Sequence, residues 1–256
     1  MHEQYLADGY YIYPEPVLPM DVVERAIVGM DAVRAGEYDT GIAPQPSPWS
    51  PGDDPAALCK IEMPQLANRA IMELVSHSAL GQAVAAVTGA SMIQAWWVQL
   101  LYKPAGTAQD GLNIGWHQDR QYWQIWEEGS ELFTAWVALS DVGADCGPMR
   151  FVRGSQRWGF LDQGDFGGQD LQSLRQGVQM PEGSEWEEKE TLLAPGGVSI
   201  HHCLTYHGSG ANLSGQPRRS FAIHMRTDKA EPVDKVRQGL TGFIDDPSSC
   251  PIIYQA

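Results

Sequence analysis

The sequence is poor in cysteine and basic residues, and it contains no long hydrophobic run. Only 4 of its 256 residues are cysteine. They are widely spaced and form no C-x-x-C pair, which argues against a zinc knuckle or a disulfide framework. No stretch approaches the roughly 18 apolar residues that a membrane-spanning helix needs. The N-terminus lacks the basic and apolar regions of a signal peptide. We therefore expect a cytoplasmic protein with no membrane partner.

The shortage of basic residues also excludes one class of partner. Lysine and arginine number 17 against 32 aspartate and glutamate, which gives a formal net charge of −15. A protein that binds the nucleic-acid backbone needs a basic surface, so we expect no nucleic-acid partner. Hydrophobic residues make up 43% and charged residues 19% of the chain, as in ordinary globular proteins. The length suits a single domain over residues 1–256.

The first 90 residues or so favour helices. Asp21 is well placed to cap a helix that begins near it and extends to about Gly36, and further helices are predicted at about 64–77 and 78–88. Between them, residues 37–58 are rich in proline, glycine and aspartate and predict a long irregular loop. Loops of this length often have a function. This one is either a cover over a site or a mobile surface excursion.

From residue 93 onward the pattern favours short strands separated by turns. The predicted strands are 93–102, 115–123, 132–139, 148–153, 191–194, 198–207 and 218–227. Many short strands are typical of a sandwich or barrel, and helices that precede them suggest an α+β protein that is mainly β. We expect a helical part at about 1–90, a barrel at about 91–230 and a C-terminal tail at 231–256.

One stretch combines an imidazole with a carboxylate, namely His117-Gln118-Asp119. On an extended segment, side chains two positions apart point to the same face. Such a pair and one distant histidine form the 2-His-1-carboxylate triad, which binds non-haem Fe(II) and leaves coordination positions open. Taken alone, the pair is weak evidence, because it is common on surface strands.

A second stretch, residues 198–207, supplies further histidines. If it is one continuous strand, alternation places His201 and His207 on one face and His202 on the other. On the following strand, Arg218 and Ser220 share a face, where a guanidinium and a hydroxyl can bind a carboxylate together. The residues alone therefore predict a metal site and an anion site that two distant stretches must bring together.

Five segments in combination resemble the phytanoyl-CoA dioxygenase family. They are H-Q-D at 117–119, F-T-A-W-V-A-L at 133–139, G-P-M-R-F-V-R-G-S at 147–155, G-G-V-S-I-H-H at 196–202 and H-G-S-G-A-N at 207–212. Arg218 follows His207 at the family's spacing. The resemblance covers roughly residues 93–227. It implies a double-stranded β-helix, also called a jelly-roll barrel, with Fe(II), the cosubstrate 2-oxoglutarate and O₂.

The resemblance also implies roles for individual residues. Three match the iron ligands: His117, Asp119 and His207. Five others match residues of the cosubstrate pocket or are candidates for contacts in it: Arg218, Ser220, Trp136, Gln99 and Gln118. Of these, Arg218 would bind the distal carboxylate of 2-oxoglutarate. Separately from the resemblance, the residues themselves suggest four candidates for contact with a small-molecule substrate: Trp123, His201, Arg150 and Arg153. Trp123 is included because it shares parity with His117 and Asp119 if their strand continues. The chain departs from the family at Arg153 and Gln156, where Pro-Gly-Ser-His is common, and this puts the substrate contacts of that loop in doubt.

The implied reaction is hydroxylation of an aliphatic C–H of a small organic molecule, with O₂ consumed and succinate and CO₂ formed. A family branch that halogenates replaces the acidic ligand by a small residue, so Asp119 favours hydroxylation. Desaturation, epoxidation and rearrangement by the same iron chemistry stay open. So do a metal-dependent cupin-like enzyme that does not use 2-oxoglutarate and a catalytically silent barrel. The substrate itself is not specified, although tryptophan and acidic residues favour a neutral or cationic, partly apolar one.

Overall fold

The computed structural model describes residues 1–106 and 112–256. The five residues 107–111, which fall inside the predicted barrel, lie outside the described residues. The helices are α1 (His2–Asp8), α2 (Met20–Ala35), α3 (Arg69–Val75), α4 (Ser78–Thr88) and α5 (Leu171–Gly177). The strands are β1 (Tyr10–Ile12), β2 (Cys59–Glu62), β3 (Met92–Lys103), β4 (Ile114–His117), β5 (Leu132–Ala138), β6 (Met149–Val152), β7 (Glu188–Glu190), β8 (Val198–His202), β9 (His207–Ser209), β10 (Arg218–Arg226) and β11 (Ile252–Gln255).

The strands form two antiparallel sheets. The larger has seven strands in the order β1-β8-β5-β10-β3-β11, with β2 also paired to β3. The smaller has the order β4-β9-β6-β7. Because β8 lies in the larger sheet and β9 in the smaller, the chain crosses between sheets within a few residues. This is the jelly-roll arrangement, and the predicted α+β, mainly β fold class is confirmed.

The larger sheet is buried on both faces, so nearly every residue of its central strands β5, β8 and β10 is buried, including the polar ones. On its outer face, alternate residues such as Val98, Phe133 and Ile223 pack with the buried faces of α2, α3 and α4 in the main hydrophobic core. On its inner face the remaining residues point into the barrel. The strand pairing aligns these inner residues in rows, and one row runs from His201 through Thr134 to His224.

The three predicted helices are present with one change, whereas α1 and α5 have no matching prediction. The α2 helix ends at Gly36, whose φ of 83° is the left-handed conformation that glycine adopts readily. The segment predicted as one helix at 64–77 is instead a short 3₁₀ turn at Pro64–Leu66 and then α3, because Asn68 caps the new helix by accepting hydrogen bonds from Ala70 N and Ile71 N. By length and composition Arg69–Thr88 would suffice to cross a membrane. It is interrupted between α3 and α4, however, and its apolar side chains lie in the hydrophobic core.

Three predicted strands were wrong in extent. The strand predicted at 115–123 ends at His117, and a 3₁₀ turn at Asp119–Tyr122 follows. The strand predicted at 198–207 is two strands in different sheets, β8 and β9, joined by a turn. The strand predicted at 191–194 is replaced by β7, which ends just before it. Residues 191–194 themselves form only an isolated bridge, between Val142 and Leu193. In the first two cases a turn redirects the chain inside the predicted strand, where residue alternation does not reveal it.

Three further segments pair with the larger sheet without a matching prediction. Near the N-terminus, β1 pairs with β8, β2 pairs with β3, and in the segment predicted as a tail, β11 also pairs with β3. Each has only three or four residues, which is too short for a reliable pattern.

Candidate metal centre and its two cavities

Three predicted ligands meet where the two sheets' inner faces come together. His117 is the last residue of β4, and His207 is the first residue of β9; the two are register partners. Their ring centroids are 4.2 Å apart. Asp119 follows at the start of the 3₁₀ turn, which directs its carboxylate back toward both rings. The turn, not a continued strand, therefore brings the carboxylate to the histidines.

The donor atoms are close enough for one metal ion. Oδ1 of Asp119 lies 3.7 Å from Nε2 of His117 and 3.5 Å from Nε2 of His207. Two ligands each about 2.1 Å from one ion are separated by at most about 4.2 Å, so both distances fit. One donor atom from each residue lies within 4.8 Å of the others, and all three residues are buried. The residues present fit a 2-His-1-carboxylate iron site.

Backbone carbonyls hold both histidines in the tautomer that a metal requires. Nδ1 of His117 lies 2.7 Å from the carbonyl oxygen of Gly115, and Nδ1 of His207 lies 2.9 Å from that of Thr205. A carbonyl oxygen only accepts hydrogen bonds, so each Nδ1 carries a hydrogen and donates. The Nε2 lone pairs are then free to bind a cation.

Charge interactions within this cluster keep the carboxylate ionised. Burial by itself would raise the pKa of Asp119, but the charge that His207 carries when protonated and the nearby imidazoles of His117 and His201 outweigh burial and hold that pKa well below its usual range. Burial, reinforced by the charge of His207, lowers the pKa of His117. Burial also acts to lower the pKa of His207, but Asp119 overcomes it and raises that pKa. The cluster is an anionic carboxylate between two imidazoles, which suits a divalent cation.

The second carboxylate oxygen of Asp119 is held by a row of side chains on the larger sheet. Thr134 Oγ1 donates to Oδ2 at 2.8 Å, and Nε2 of His201 lies 3.1 Å from the same oxygen. A hydroxyl has one proton, so Thr134 must accept from Nδ1 of His224, 2.9 Å away. Burial lowers the pKa of His201 to about 4 and that of His224 to about 3, so both are neutral. These contacts leave Oδ1 to face the metal position.

Replacing Thr134 with valine is expected to weaken metal binding about 10- to 100-fold, because partners that orient a metal ligand typically contribute that much. Valine keeps the shape of the side chain but removes the hydrogen bond to Asp119. Anaerobic titration with Fe(II) measures the effect, and Thr134→Ser, which keeps the hydroxyl, is the matched control. Equal iron affinity in the valine and serine variants would show that this hydrogen bond does not position the carboxylate.

The first of two cavities extends from the metal position toward Arg218, and we name it the Arg218 cavity. Its wall includes Trp136, Met149 and Ile114. Arg218 is only 2% exposed. Its guanidinium donates to the carbonyl oxygen of Gly147 and lies 5.3 Å from the centre of the Trp136 ring. Within the described part of the chain, its buried Nε has no hydrogen-bond partner.

A second buried cation lies beside Arg218. Lys103, its register partner on β3, is fully buried and donates to Ser209 Oγ at 2.7 Å and to the carbonyl oxygen of Gly210 at 2.6 Å. Burial, and then the charge of Arg218, lowers the pKa of Lys103 well below its usual range, and burial lowers the pKa of Arg218 to about 10. Among residues 1–106 and 112–256, no carboxylate lies within 4.0 Å of either cation. Such a site favours an anion, and the distal carboxylate of 2-oxoglutarate fits it.

The second cavity lies on the other side of the metal position, and we name it the Glu62 cavity. Its volume is about 250 Å³. The residues that belong to it alone are Lys60, Glu62, Trp97, Tyr122, Trp123 and Leu240. The two cavities share a wall formed by Gln99, His117, Asp119, Phe166 and His224. The metal position is thus the junction between an anion site and a separate, mostly aromatic cavity.

Several predicted site residues reach these cavities. Trp136 lines the Arg218 cavity, and Gln99 lines both. Trp123 lines the Glu62 cavity, although the continued strand on which that expectation depended is a 3₁₀ turn. His201 lines the Arg218 cavity and binds Asp119. Its predicted contact with substrate is therefore replaced by a role in orienting the carboxylate.

Two of the predicted cosubstrate residues do not line either cavity. Gln118 points away from the site, where its amide donates to the carbonyl oxygens of Gly159 and Leu204. Alternation directs the residue between two ligands to the opposite side, and a role of Gln118 toward the cosubstrate stays a prediction without support from its position. Ser220 does face inward with Arg218, but its hydroxyl donates to the carbonyl oxygen of Leu101 at 3.2 Å. It stabilises the pairing of β10 with β3 and lines no cavity.

The two arginines proposed as substrate contacts also lie elsewhere. Arg150 forms an ion pair with Glu188 at 3.1 Å, and Arg153 forms one with Asp8 at 2.8 Å on the surface. Neither lines a cavity beside the metal centre, and contact of either residue with a substrate stays a prediction. No residue of the loop 37–58 lines these cavities either, and the hypothesis of a cover over the site is not supported. Phe166 and Leu240, from later loops, occupy that position instead.

Some residues of the site escaped the sequence prediction. They are Thr134, Lys60, Glu62, Tyr122 and Phe166. Thr134 lies inside a recognised motif, but its contact with Asp119 depends on register between strands. For Lys60 and Glu62 the signal is the alternation C-K-I-E at 59–62, but a run of four residues is too short for a reliable strand prediction. The loop that carries Phe166 has no pattern that predicts its position.

Comparison of the sequence with known proteins identifies a family and a relative of known activity. The family model for phytanoyl-CoA dioxygenase (PhyH) matches residues 5–220. Ectoine dioxygenase of Halomonas elongata is 29% identical over 150 residues, which cover 50% of this chain and 41% of that protein. The matched region thus spans less than half the length of that relative.

Solved structures show the same fold. The epimerase SnoN in complex with Fe³⁺, α-ketoglutarate and nogalamycin RO superposes with a TM-score of 0.69 at 21% identity, covering 96% of this chain and 88% of SnoN. The non-haem monooxygenase ThoJ in its nickel complex has a TM-score of 0.66 at 22% identity, covering 100% and 84% of the two chains. The carbocyclase SnoK from nogalamycin biosynthesis has a TM-score of 0.66 at 22% identity, covering 90% and 84%. At these identities the likeness establishes the fold.

Proposed function

This chain belongs to the phytanoyl-CoA dioxygenase family, whose cofactors are Fe(II), 2-oxoglutarate and O₂, and we propose that it hydroxylates an aliphatic C–H of a small organic molecule. The reaction would consume O₂ and 2-oxoglutarate and form succinate and CO₂. One observation carries the proposal: His117, Asp119 and His207 converge between a cavity lined by the buried Arg218 and a second, mostly aromatic cavity.

The two cavities offer the two binding sites that this chemistry needs, one for 2-oxoglutarate and one for the substrate. Bound iron, 2-oxoglutarate and O₂ together supply an oxidising power that no side chain provides. Arg218 lines the Arg218 cavity and attracts one end of a dicarboxylate, with Lys103 beside it on the neighbouring strand. The other end of the dicarboxylate can face the metal ligands, which line the same cavity. Trp136 and Met149 surround the chain of that molecule with apolar surface and exclude water.

The ligand residues have separate tasks. His117 and His207 present neutral nitrogen donors, and Asp119 supplies the negative charge. Because Thr134 and His201 occupy the second oxygen of Asp119, the carboxylate is directed to bind through one oxygen and leaves coordination positions free. Trp97 and Trp123 form the apolar surface against which a substrate C–H can be held close to the metal position.

Purified protein supplied with Fe(II), ascorbate and O₂ is expected to convert 2-oxoglutarate to succinate, and to do so faster when a substrate is added. Mass spectrometry of the product tests the finer proposal. Hydroxylation adds one oxygen atom, whereas desaturation or ring closure removes two hydrogen atoms and epimerisation leaves the mass unchanged.

Anaerobic calorimetry tests the choice of cosubstrate independently of turnover. The iron-loaded protein should bind 2-oxoglutarate, and succinate formation should depend on it. A protein that binds iron but neither binds nor consumes 2-oxoglutarate would instead be a metal enzyme of another type, and the proposal would fail.

A further inference from the structure

The Glu62 cavity contains an ion pair that the metal chemistry does not use. Lys60 Nζ lies 3.1 Å from Glu62 Oε1, and the side chains are 20% and 13% exposed. Both residues belong to β2, where alternation buries Cys59 and Ile61 in the core on the opposite face. The strand thus directs one cation and one anion into a cavity whose other walls are largely aromatic.

The Glu62 carboxylate is held in place by hydrogen bonds but can still accept one from a ligand. Trp97 Nε1 donates to Oε2 at 2.6 Å, and Gln99 Nε2 donates to Oε1 at 3.3 Å. These are two hydrogen bonds, and Lys60 adds an ion pair, whereas an ionised carboxylate can accept about four hydrogen bonds. Since Glu62 lines the cavity, a ligand there can reach the carboxylate, and the indole and amide fix its orientation beforehand.

The Lys60 ammonium also has hydrogen-bond donors that remain free for a ligand. Its ammonium has three donors, and Glu62 is the only acceptor that it contacts within the described residues. The nitrogen lies 4.6 Å from the centre of the Phe166 ring, a cation–π arrangement that holds the group beside the shared wall of the two cavities. The remaining donors are available to an acceptor in the Glu62 cavity.

The balance of charge identifies the class of ligand. Lys60 and Glu62 sum to zero, so a ligand with a single charge would leave one charge uncompensated in a partly enclosed site, which is unfavourable. A ligand with both an ammonium and a carboxylate group compensates both residues. The volume of about 250 Å³ is below the ~300–1,000 Å³ typical of sites for drug-sized ligands, which suits a small metabolite and not an entire acyl-CoA.

We propose that the Glu62 cavity binds a small zwitterion of the amino-acid class, with its ammonium against Glu62, its carboxylate against Lys60 and its apolar part against Trp97 and Trp123. This inference rests on the proposed function in one respect, since it takes this cavity as the substrate site. The C–H to be oxidised would then lie on the apolar part, toward the wall shared with His117 and Asp119.

Binding can be measured without turnover, because two tryptophans line the cavity. Protein loaded with Fe(II) and 2-oxoglutarate is kept anaerobic, and its tryptophan fluorescence is titrated with L-proline, L-leucine and L-phenylalanine. Each is also tested as its methyl ester and its N-acetyl derivative, which lack one charge. At least one free amino acid should bind about tenfold or more tightly than both of its derivatives. Equal binding of the derivatives, or no binding by any free amino acid, would overturn the proposal.

Two variants test which residue recognises which group. In Glu62→Gln the preference for the free amine over the N-acetyl derivative should disappear, and in Lys60→Met the preference for the free carboxylate over the ester should disappear. A purely structural ion pair would weaken all three ligands equally, and that outcome contradicts the assignment. The exposed pair Lys229 and Glu131, with 2.7 Å between Nζ and Oε1, provides the matched controls Lys229→Met and Glu131→Gln.

The two proposals fail separately. If the crossed pattern of preferences is found but no succinate forms under O₂, the zwitterion site stands and the oxygenase function fails. If succinate forms but uncharged or singly charged molecules bind as well as zwitterions, the oxygenase function stands and the substrate class is wrong.

Discussion

Replacing Asp119 with alanine is expected to lower the affinity for Fe(II) by more than about 100-fold, since loss of a residue that merely orients a ligand typically costs 10- to 100-fold. Asp119 is the only anionic donor of the cluster, and both histidine nitrogens face its Oδ1. Conversion of 2-oxoglutarate to succinate should be lost together with the iron. Metal analysis after anaerobic loading and a turnover assay measure the two effects.

A second buried aspartate offers a control for this variant. Asp8 is 7% exposed, as is Asp119, but it forms an ion pair with Arg153 and lies far from the cavities. Asp8→Ala should retain iron and turnover, even where the ion pair contributes to stability. Thermal unfolding of each variant separates loss of the site from loss of the fold. Normal turnover in Asp119→Ala would refute the ligand assignment.

Replacing Arg218 with methionine is expected to raise the KM for 2-oxoglutarate from about 30-fold to several thousandfold, because removing one member of a buried charge pair costs roughly 2–5 kcal/mol. Iron binding should change little, since Arg218 does not contact the ligand residues. Calorimetry with 2-oxoglutarate and steady-state kinetics measure the effect. The pattern, weak cosubstrate binding with intact metal binding, distinguishes a binding role from general damage.

The neighbouring arginine is the matched control. Arg219 points to the outside of the same strand, where it forms an ion pair with Asp31 at 3.3 Å and lies over the Tyr102 ring. Arg219→Met should leave the KM for 2-oxoglutarate unchanged. If instead Arg219→Met raises that KM and Arg218→Met does not, the orientation of β10 is reversed and the anion site is misassigned.

The sequence was sufficient for the fold class, the family and the three ligand residues. Their motifs are local: H-Q-D occupies adjacent positions, and His207 lies within a recognisable glycine-rich segment. Alternation also predicted correctly that Arg218 faces inward and Arg219 outward. Inferences of this kind depend only on neighbours along the chain, whose relative orientation backbone geometry constrains.

The same rule failed wherever a turn interrupted an apolar run. His201 and His207 do both face the metal centre, yet they belong to different sheets and not to one strand. Trp123 reaches the Glu62 cavity from a 3₁₀ turn instead of from a continued strand. Both expectations were right in outcome and wrong in reasoning, because periodicity does not reveal where a chain leaves its sheet.

What the sequence determined by itself is therefore the chemistry of the centre: two imidazoles, one carboxylate and an inward guanidinium on a jelly-roll frame. What only the tertiary structure decided is everything that depends on contacts between distant segments. Thr134 and His201 meet Asp119 through strand register, and Lys60 and Glu62 enter the site because β2 pairs with β3. Strand register and turns likewise place Gln118, Arg150 and Arg153 outside the lining of both cavities. The physical reason is that side-chain direction is a local property of the backbone, whereas proximity in space follows from the packing of the entire barrel.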